Sequence, residues 1–118
     1  MKKILIADDS LFMRTVLKDL LPKEYETVEA DSGVTAIEQF ERESPDLVLL
    51  DIIMPDSEEE GVRVLKHIMQ TDPEARVIMI SAVGQETTVN ECRRLGAKDY
   101  ILKPFQKEHV LEQVRKWA

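Results

Sequence analysis

Five polar residues in this 118-residue chain stand where short apolar runs stop, and together they could handle a phosphoryl group. Asp8 and Asp9 follow Ile4–Ala7, Asp51 follows Leu47–Leu50, Ser81 follows Val77–Ile80, and Lys103, with Pro104 after it, follows Tyr100–Leu102. Taken singly, each is an ordinary boundary residue, and Asp9 and Ser10 are both suited to capping a helix. Taken together they are harder to explain as boundaries. Three carboxylates in one crevice repel one another unless a cation neutralises them. A ligand set made only of oxygen, with no His or Cys, favours Mg²⁺, Mn²⁺ or Ca²⁺ over zinc. So few protein ligands suit Mg²⁺, which keeps several waters and completes its shell with phosphate oxygens. A phosphoryl group carried on a carboxylate presents three charged oxygens. A metal, an ammonium and a hydroxyl can each take one, which gives Lys103 and Ser81 their roles. Asp51, closing the central apolar run between Leu50 and Ile52, is the best-placed nucleophile for an acyl phosphate. The small Ala82, next to Ser81, leaves the approach open.

The elements that must position these residues are legible in the apolar pattern. Ile4–Ala7, Leu47–Leu50 and Val77–Ile80 are unbroken apolar runs of four, as expected for strands buried on both faces of a parallel sheet. Tyr25–Ala30, with Glu26 and Glu29 inside it, and the short Tyr100–Leu102 suit the two edges. Between them lie five stripes at helical spacing: Phe12/Met13/Val16/Leu17/Leu20, Ala36/Ile37/Phe40, Val64/Leu65/Ile68/Met69, Val89/Cys92/Leu95 and Val110/Leu111/Val114/Trp117. Pro22, Ser44-Pro45, Asp72-Pro73 and Gly96 end the first four helices. Strand and helix thus alternate five times, which implies right-handed crossovers and a parallel sheet covered by helices on both sides. Ligands of such sheets sit beyond the carboxyl ends of the strands, where all five polar residues fall.

The bulk composition excludes several functions. At 118 residues there is room for one core. No apolar run approaches the roughly 20 residues of a membrane helix, and Asp8 ends the N-terminal run too early for a signal peptide. Together with a single cysteine, Cys92, this leads us to expect a cytoplasmic protein. A net charge of −7 without a basic cluster argues against nucleic-acid or membrane binding.

In four separately spaced motifs the chain resembles the response-regulator receiver domains, in particular their single-domain, CheY-like members. These are Asp8-Asp9, Asp51 with Met54-Pro55, Ser81-Ala82, and Lys103-Pro104-Phe105, spread over essentially the whole chain. The resemblance implies a flavodoxin-like (βα)5 fold with sheet order 2-1-3-4-5, and one receiver domain over residues 1–118 without an output domain. It implies that Asp51 accepts phosphate from a histidine kinase. Mg²⁺, replaceable by Mn²⁺, would be held by Asp9, Asp51 and the backbone carbonyl of Ile53, with Asp8 acting through water. Lys103 would contact the phosphoryl oxygens, and the Lys103-Pro104 peptide would be cis. Ser81 would move towards the phosphoryl group while Tyr100 turns inward, remodelling the face of helix 4, strand 5 and helix 5. The domain would assist its own phosphorylation and dephosphorylation without being an enzyme otherwise. It would act as a monomer on a target such as a flagellar-motor switch or a phosphatase. Phe12-Met13-Arg14 and Lys103-Pro104-Phe105 resemble chemotaxis members; a phosphorelay shuttle is the alternative.

One departure stands out. Receivers commonly place a glycine after three residues beyond Met-Pro, whereas here Asp56-Ser57-Glu58-Glu59-Glu60 precede Gly61. Ser57-x-x-Glu60 has the form of a capping box, with the extra acids suited to a helix N-terminus, so a structural role is expected; tuning of metal affinity or partner choice is the functional alternative. Ile53 and Val83, two residues beyond Asp51 and Ser81, are apolar where the family controls hydrolytic water, which implies a slowly lost phosphoryl group. His67 and His109 are expected in solvent. Cys92, Met13 and Met69 are expected in packing, and Trp117 at the base of the last helix. Glu86, Asn90, Glu91, Arg93 and Arg94 should form a solvated face. A flavin or nucleotide enzyme would need a phosphate-cradling loop after strand 1, which Asp8-Asp9 is not. A metal-dependent phosphatase would need an acid where Ile53 stands, and a substrate lid. A receiver serving only as a scaffold would not need Asp51 and Lys103.

Overall fold

The computed structural model describes residues 1–55 and 57–118. Five strands and five helices alternate: β1 Lys3–Ala7, α1 Leu11–Leu20, β2 Glu26–Ala30, α2 Gly33–Glu43, β3 Leu47–Leu50, α3 Glu60–Thr71, β4 Val77–Ser81, α4 Glu86–Leu95, β5 Asp99–Leu102 and α5 Lys107–Trp117. The strands are parallel in the order β2-β1-β3-β4-β5, with the mixed β2 and the short β5 at the edges, as their sequences suggest.

The unbroken apolar runs are explained by two cores on opposite faces of one sheet. Leu5, Ala7, Val48, Leu50, Val77 and Met79 face α2, α3 and α4, where they meet Phe40, Leu65, Ile68 and Cys92. The alternate residues Ile4, Ile6, Leu47, Leu49, Ile78 and Ile80 meet Leu17, Val110 and Val114 of α1 and α5. Every residue of β3 and β4 is buried, so each pleat contributes to one core or the other. Fully burying each such aliphatic side chain is worth about 1.5–3 kcal/mol. Among the described residues no helix is long and apolar enough to cross a membrane.

Local signals set the boundaries. Ser10, rather than Asp9, caps α1 by accepting from the Met13 amide at 3.1 Å. Ser32 and Thr35 form a reciprocal capping box on α2. Gly96, at φ +116°, closes α4. Two expectations are corrected. Phe12 is not part of the buried stripe of α1 and is 75% exposed. Leu17 defines the inward face, and a residue five positions earlier is turned about 140° away from it. The Ser57–Glu60 capping box does not form either: α3 begins at Glu60, after Glu59, without a side-chain cap. Ser57 instead pairs with Met54 through two backbone hydrogen bonds of 3.2 and 3.3 Å. Glu60 turns inward, 1% exposed, packing against Gly33 and pairing with Arg63. The part of that expectation concerning Asp56 lies outside the described residues.

Candidate phosphoacceptor site

The register of the sheet assembles the site. Ala7 pairs with Leu50, so Asp8 and Asp51 leave neighbouring strands side by side, and the Asp51 amide donates to the Ala7 carbonyl at 2.9 Å. Ser81 pairs with Leu102, which brings Lys103 to the same edge, its amide donating to the Ser81 carbonyl at 2.9 Å. The Lys103-Pro104 peptide is cis.

Lys103 Nζ lies 2.7 Å from Asp8 Oδ2 and 3.0 Å from Asp51 Oδ2, bridging two carboxylates from different strands. Asp8 and Asp51 are buried, only 2% and 7% exposed, while Asp9 is open to solvent. Burial alone would lower the Lys103 pKa, but the hydrogen bond it donates to Asp8 and the charges of Asp51 and Asp8 outweigh it, and the pKa is raised. The second oxygens are also engaged: Asp51 Oδ1 accepts from the Ile52 amide at 2.7 Å, and Asp8 Oδ1 from the Ser10 amide at 2.9 Å. One oxygen each from Asp8, Asp9 and Asp51 lie within 4.8 Å of one another, the one such acidic group among the described residues. Three carboxylates against one ammonium leave a net negative crevice with oxygen donors alone, which fits a hard divalent cation.

Ser81 is fully buried at the end of β4, and its hydroxyl accepts from the Val83 amide at 3.2 Å. The Tyr100 ring is buried as well, and its phenol donates to the Val83 carbonyl. Burial, followed by the charge of the nearby Cys92, raises the Tyr100 pKa. Ile53, 42% exposed, follows Asp51 and Ile52 on the loop out of β3. Just beyond it, Met54 and Ser57 form an isolated antiparallel bridge. Gly61 then returns its amide to the Ile52 carbonyl at 2.7 Å. A Cβ on Gly61 would stand 2.0 Å from the Asp51 carbonyl oxygen, so only glycine permits this approach.

Arg14 is a site residue that the sequence reading did not single out for chemistry. Its Nη1 donates to the Asp8 carbonyl at 2.8 Å and its Nε to Glu29 at 3.0 Å, tying α1 and β2 to the acidic turn. The available signal was an arginine four residues after the cap, on the first turn of the helix that follows the acidic pair. His67 and His109 are exposed, Cys92 is buried, and Trp117 packs against the second core, all as expected.

A parallel sheet in the order 2-1-3-4-5 with a carboxylate–lysine crevice at its carboxyl edge is the flavodoxin-like architecture, with three carboxylates placed where they could hold a metal ion. The chain belongs to the response regulator receiver domain family, whose model matches residues 4–115. It is 49% identical over 116 residues to the chemotaxis protein CheY of Bacillus subtilis, covering 97% of this chain and 95% of the relative. It is 46% identical to that of Listeria monocytogenes, covering 100% and 99%. Among solved structures, a chain of the CheX–CheY–BeF3–Mg²⁺ complex from Borrelia burgdorferi superposes with a TM-score of 0.89 at 37% identity, covering 98% of this chain and 87% of that one.

Proposed function

We propose that this chain is a phosphorylation-controlled switch of two-component signalling, acting in chemotaxis, with Asp51 as the phosphoacceptor. A carboxylate oxygen of Asp51 attacks the phosphorus of a histidine kinase's phosphohistidine. The new O–P bond forms as the P–N bond breaks, and the departing imidazole nitrogen takes the electron pair and then a proton from solvent. Lys103, already held against Asp51, stays charged and meets the transferred oxygens, and the Ser81 hydroxyl donates to another once it leaves the Val83 amide. Mg²⁺, or Mn²⁺ in its place, would be held by Asp9, Asp51 and the Ile53 carbonyl with Asp8 acting through water, and supplies charge neutralisation when bound. Tyr100 and Ser81 then carry the change to the face of α4, β5 and α5, where a target such as a flagellar-motor switch or a phosphatase docks.

The observation that carries this reading is the convergence of Asp8, Asp9 and Asp51 within 4.8 Å, with Lys103 bridging two of them. The CheY relatives at 46–49% identity support chemotaxis over a relay role; the sporulation initiation phosphotransferase F of Bacillus subtilis is 36% identical. The test is Mg²⁺-dependent incorporation of phosphate from acetyl phosphate, followed by intact-mass measurement. Label retained at the same level in Asp51→Asn would overturn the assignment.

A further inference from the structure

A groove of about 520 Å³ opens at Ile52 and Ile53, which follow Asp51 in the chain, between the loop that leaves β3 and the start of α4. Its wall carries exposed Ile53 and half-buried Val62 and Val83. Its mouth carries Glu58 and Glu59 from the extended loop, and Glu91 from α4, all exposed. Among the described residues none of these three glutamates is in an ion pair. Glu58 and Glu59 have no capping function either, since α3 begins without a side-chain cap. Nor do the three converge to cation-ligating distance, which among the described residues only Asp8, Asp9 and Asp51 do. A groove whose wall mixes Ile53, Val62 and Val83 with the polar Gln85 and Thr88, rimmed by carboxylates outside any ion pair on a chain of net charge −7, repels phosphates, nucleic acids and anionic lipids. It complements an apolar side chain flanked by positive charges.

We propose that this groove is a docking surface for a partner-protein segment in which an aliphatic side chain is flanked by lysine or arginine. The aliphatic group fills the trough against Ile53, Val62 and Val83, and the flanking cations meet Glu58, Glu59 and Glu91. The extended loop is therefore a partner-selecting element placed at the phosphoacceptor's edge. This names the partner chemistry of the site under the receiver reading and rests on it. Binding to the unphosphorylated chain is nevertheless measurable whatever happens at Asp51.

The probe is a synthetic 12-residue Lys/Leu peptide, with a Lys/Gly peptide of equal charge and a Glu/Leu peptide of equal apolarity as comparisons. Amide shifts of the isotopically labelled full chain report where each binds. The Lys/Leu peptide should move groove amides, bind about tenfold or more tightly than either comparison, and lose about tenfold in the E58Q/E59Q/E91Q variant. That variant should still take phosphate from acetyl phosphate, which separates failure of the groove from failure of the phosphoacceptor. Equal binding of the Lys/Gly peptide, unchanged binding by the variant, or shifts lying elsewhere on the acidic surface would overturn the proposal. So would groove shifts that grow with protein concentration alone, since the occupant would then be a second copy of this chain.

Discussion

Replacing Lys103 by methionine keeps the aliphatic stem and removes the single ammonium that neutralises Asp8 and Asp51. Both carboxylates are almost wholly buried, at 2.7 and 3.0 Å from that nitrogen, so neither can recover full hydration when it is lost. Breaking a buried pair by removing one partner costs about 3–5 kcal/mol. The lysine side chain retains 17% exposure, which places the expected loss near the lower end, about 3 kcal/mol. Unfolding entropy for 118 residues is about 0.25 kcal/mol per kelvin, so the midpoint should fall by about 12 °C. The raised Lys103 pKa fixes the pH dependence. Its contribution is fully present below the ordinary lysine value of 10.5 and lost only as pH rises through the folded value, so the deficit should be constant at neutral pH. Urea titrations in chelator and in Mg²⁺ provide the assay. In chelator the variant should lose about 3 kcal/mol, while Asp51→Asn, which relieves repulsion and leaves the Lys103–Asp8 pair, should lie within about 1 kcal/mol of the parent. At a fixed Mg²⁺ concentration the Lys103→Met variant should gain more than the parent, because no ammonium competes with the cation. Equal stability in chelator, or equal Mg²⁺ increments, would refute the reasoning.

Gly61→Ala places a methyl 2.0 Å from the Asp51 carbonyl and 2.4 Å from the Ile52 Cα, both backbone atoms. We expect a loss above about 3 kcal/mol in chemical denaturation, together with weakened phosphate uptake as the β3 exit is displaced. Burial, then the charge of Glu91, pushes the Cys92 thiol up to about 11 from an ordinary 9.0. Since the folded pKa is the higher, this contribution is present below pH 9 and lost as pH rises towards 11, by roughly 2–3 kcal/mol. Urea midpoints at alkaline pH should fall less in Cys92→Val than in the parent. Ile53 and Val83 are apolar two residues beyond Asp51 and Ser81, so under the receiver reading the phosphoryl label should outlast the acetyl phosphate by far more than seconds, and Ile53→Asn should shorten its life. Loss from the parent within a few seconds would defeat that expectation.

Much of the fold follows from patterns that are local in sequence. Runs such as Leu47–Leu50 and Val77–Ile80 are too short for helices and read as strands covered on both faces, and the glutamates of β2 mark it as an edge. The candidate site was legible for the same reason, because strand ends in a parallel sheet all point to one edge. What was not legible depends on how the elements pack and on the phase each helix takes. Ser57-x-x-Glu60 has the local form of a capping box, yet Gly61 must slide beneath the Ile52 carbonyl, which starts α3 later and sends Glu60 against Gly33. Phe12 belongs to an apolar cluster in sequence, but the helix phase set by Leu17 turns it outward. Arg14 reaches the Asp8 carbonyl only because β1 and α1 are packed together, which spacing alone does not reveal.

The double attachment of Val83 has a mechanical consequence. Its N–H is held by the Ser81 hydroxyl and its carbonyl by the Tyr100 phenol, so the two peptide planes that meet at its Cα are each bolted to a different side chain. Rotation about that one residue, between the small Ala82 and Gly84, therefore disturbs both bolts together. Ser81 and Tyr100 are thus two ends of one crank whose axle is the Val83 backbone, and neither should turn far without the other.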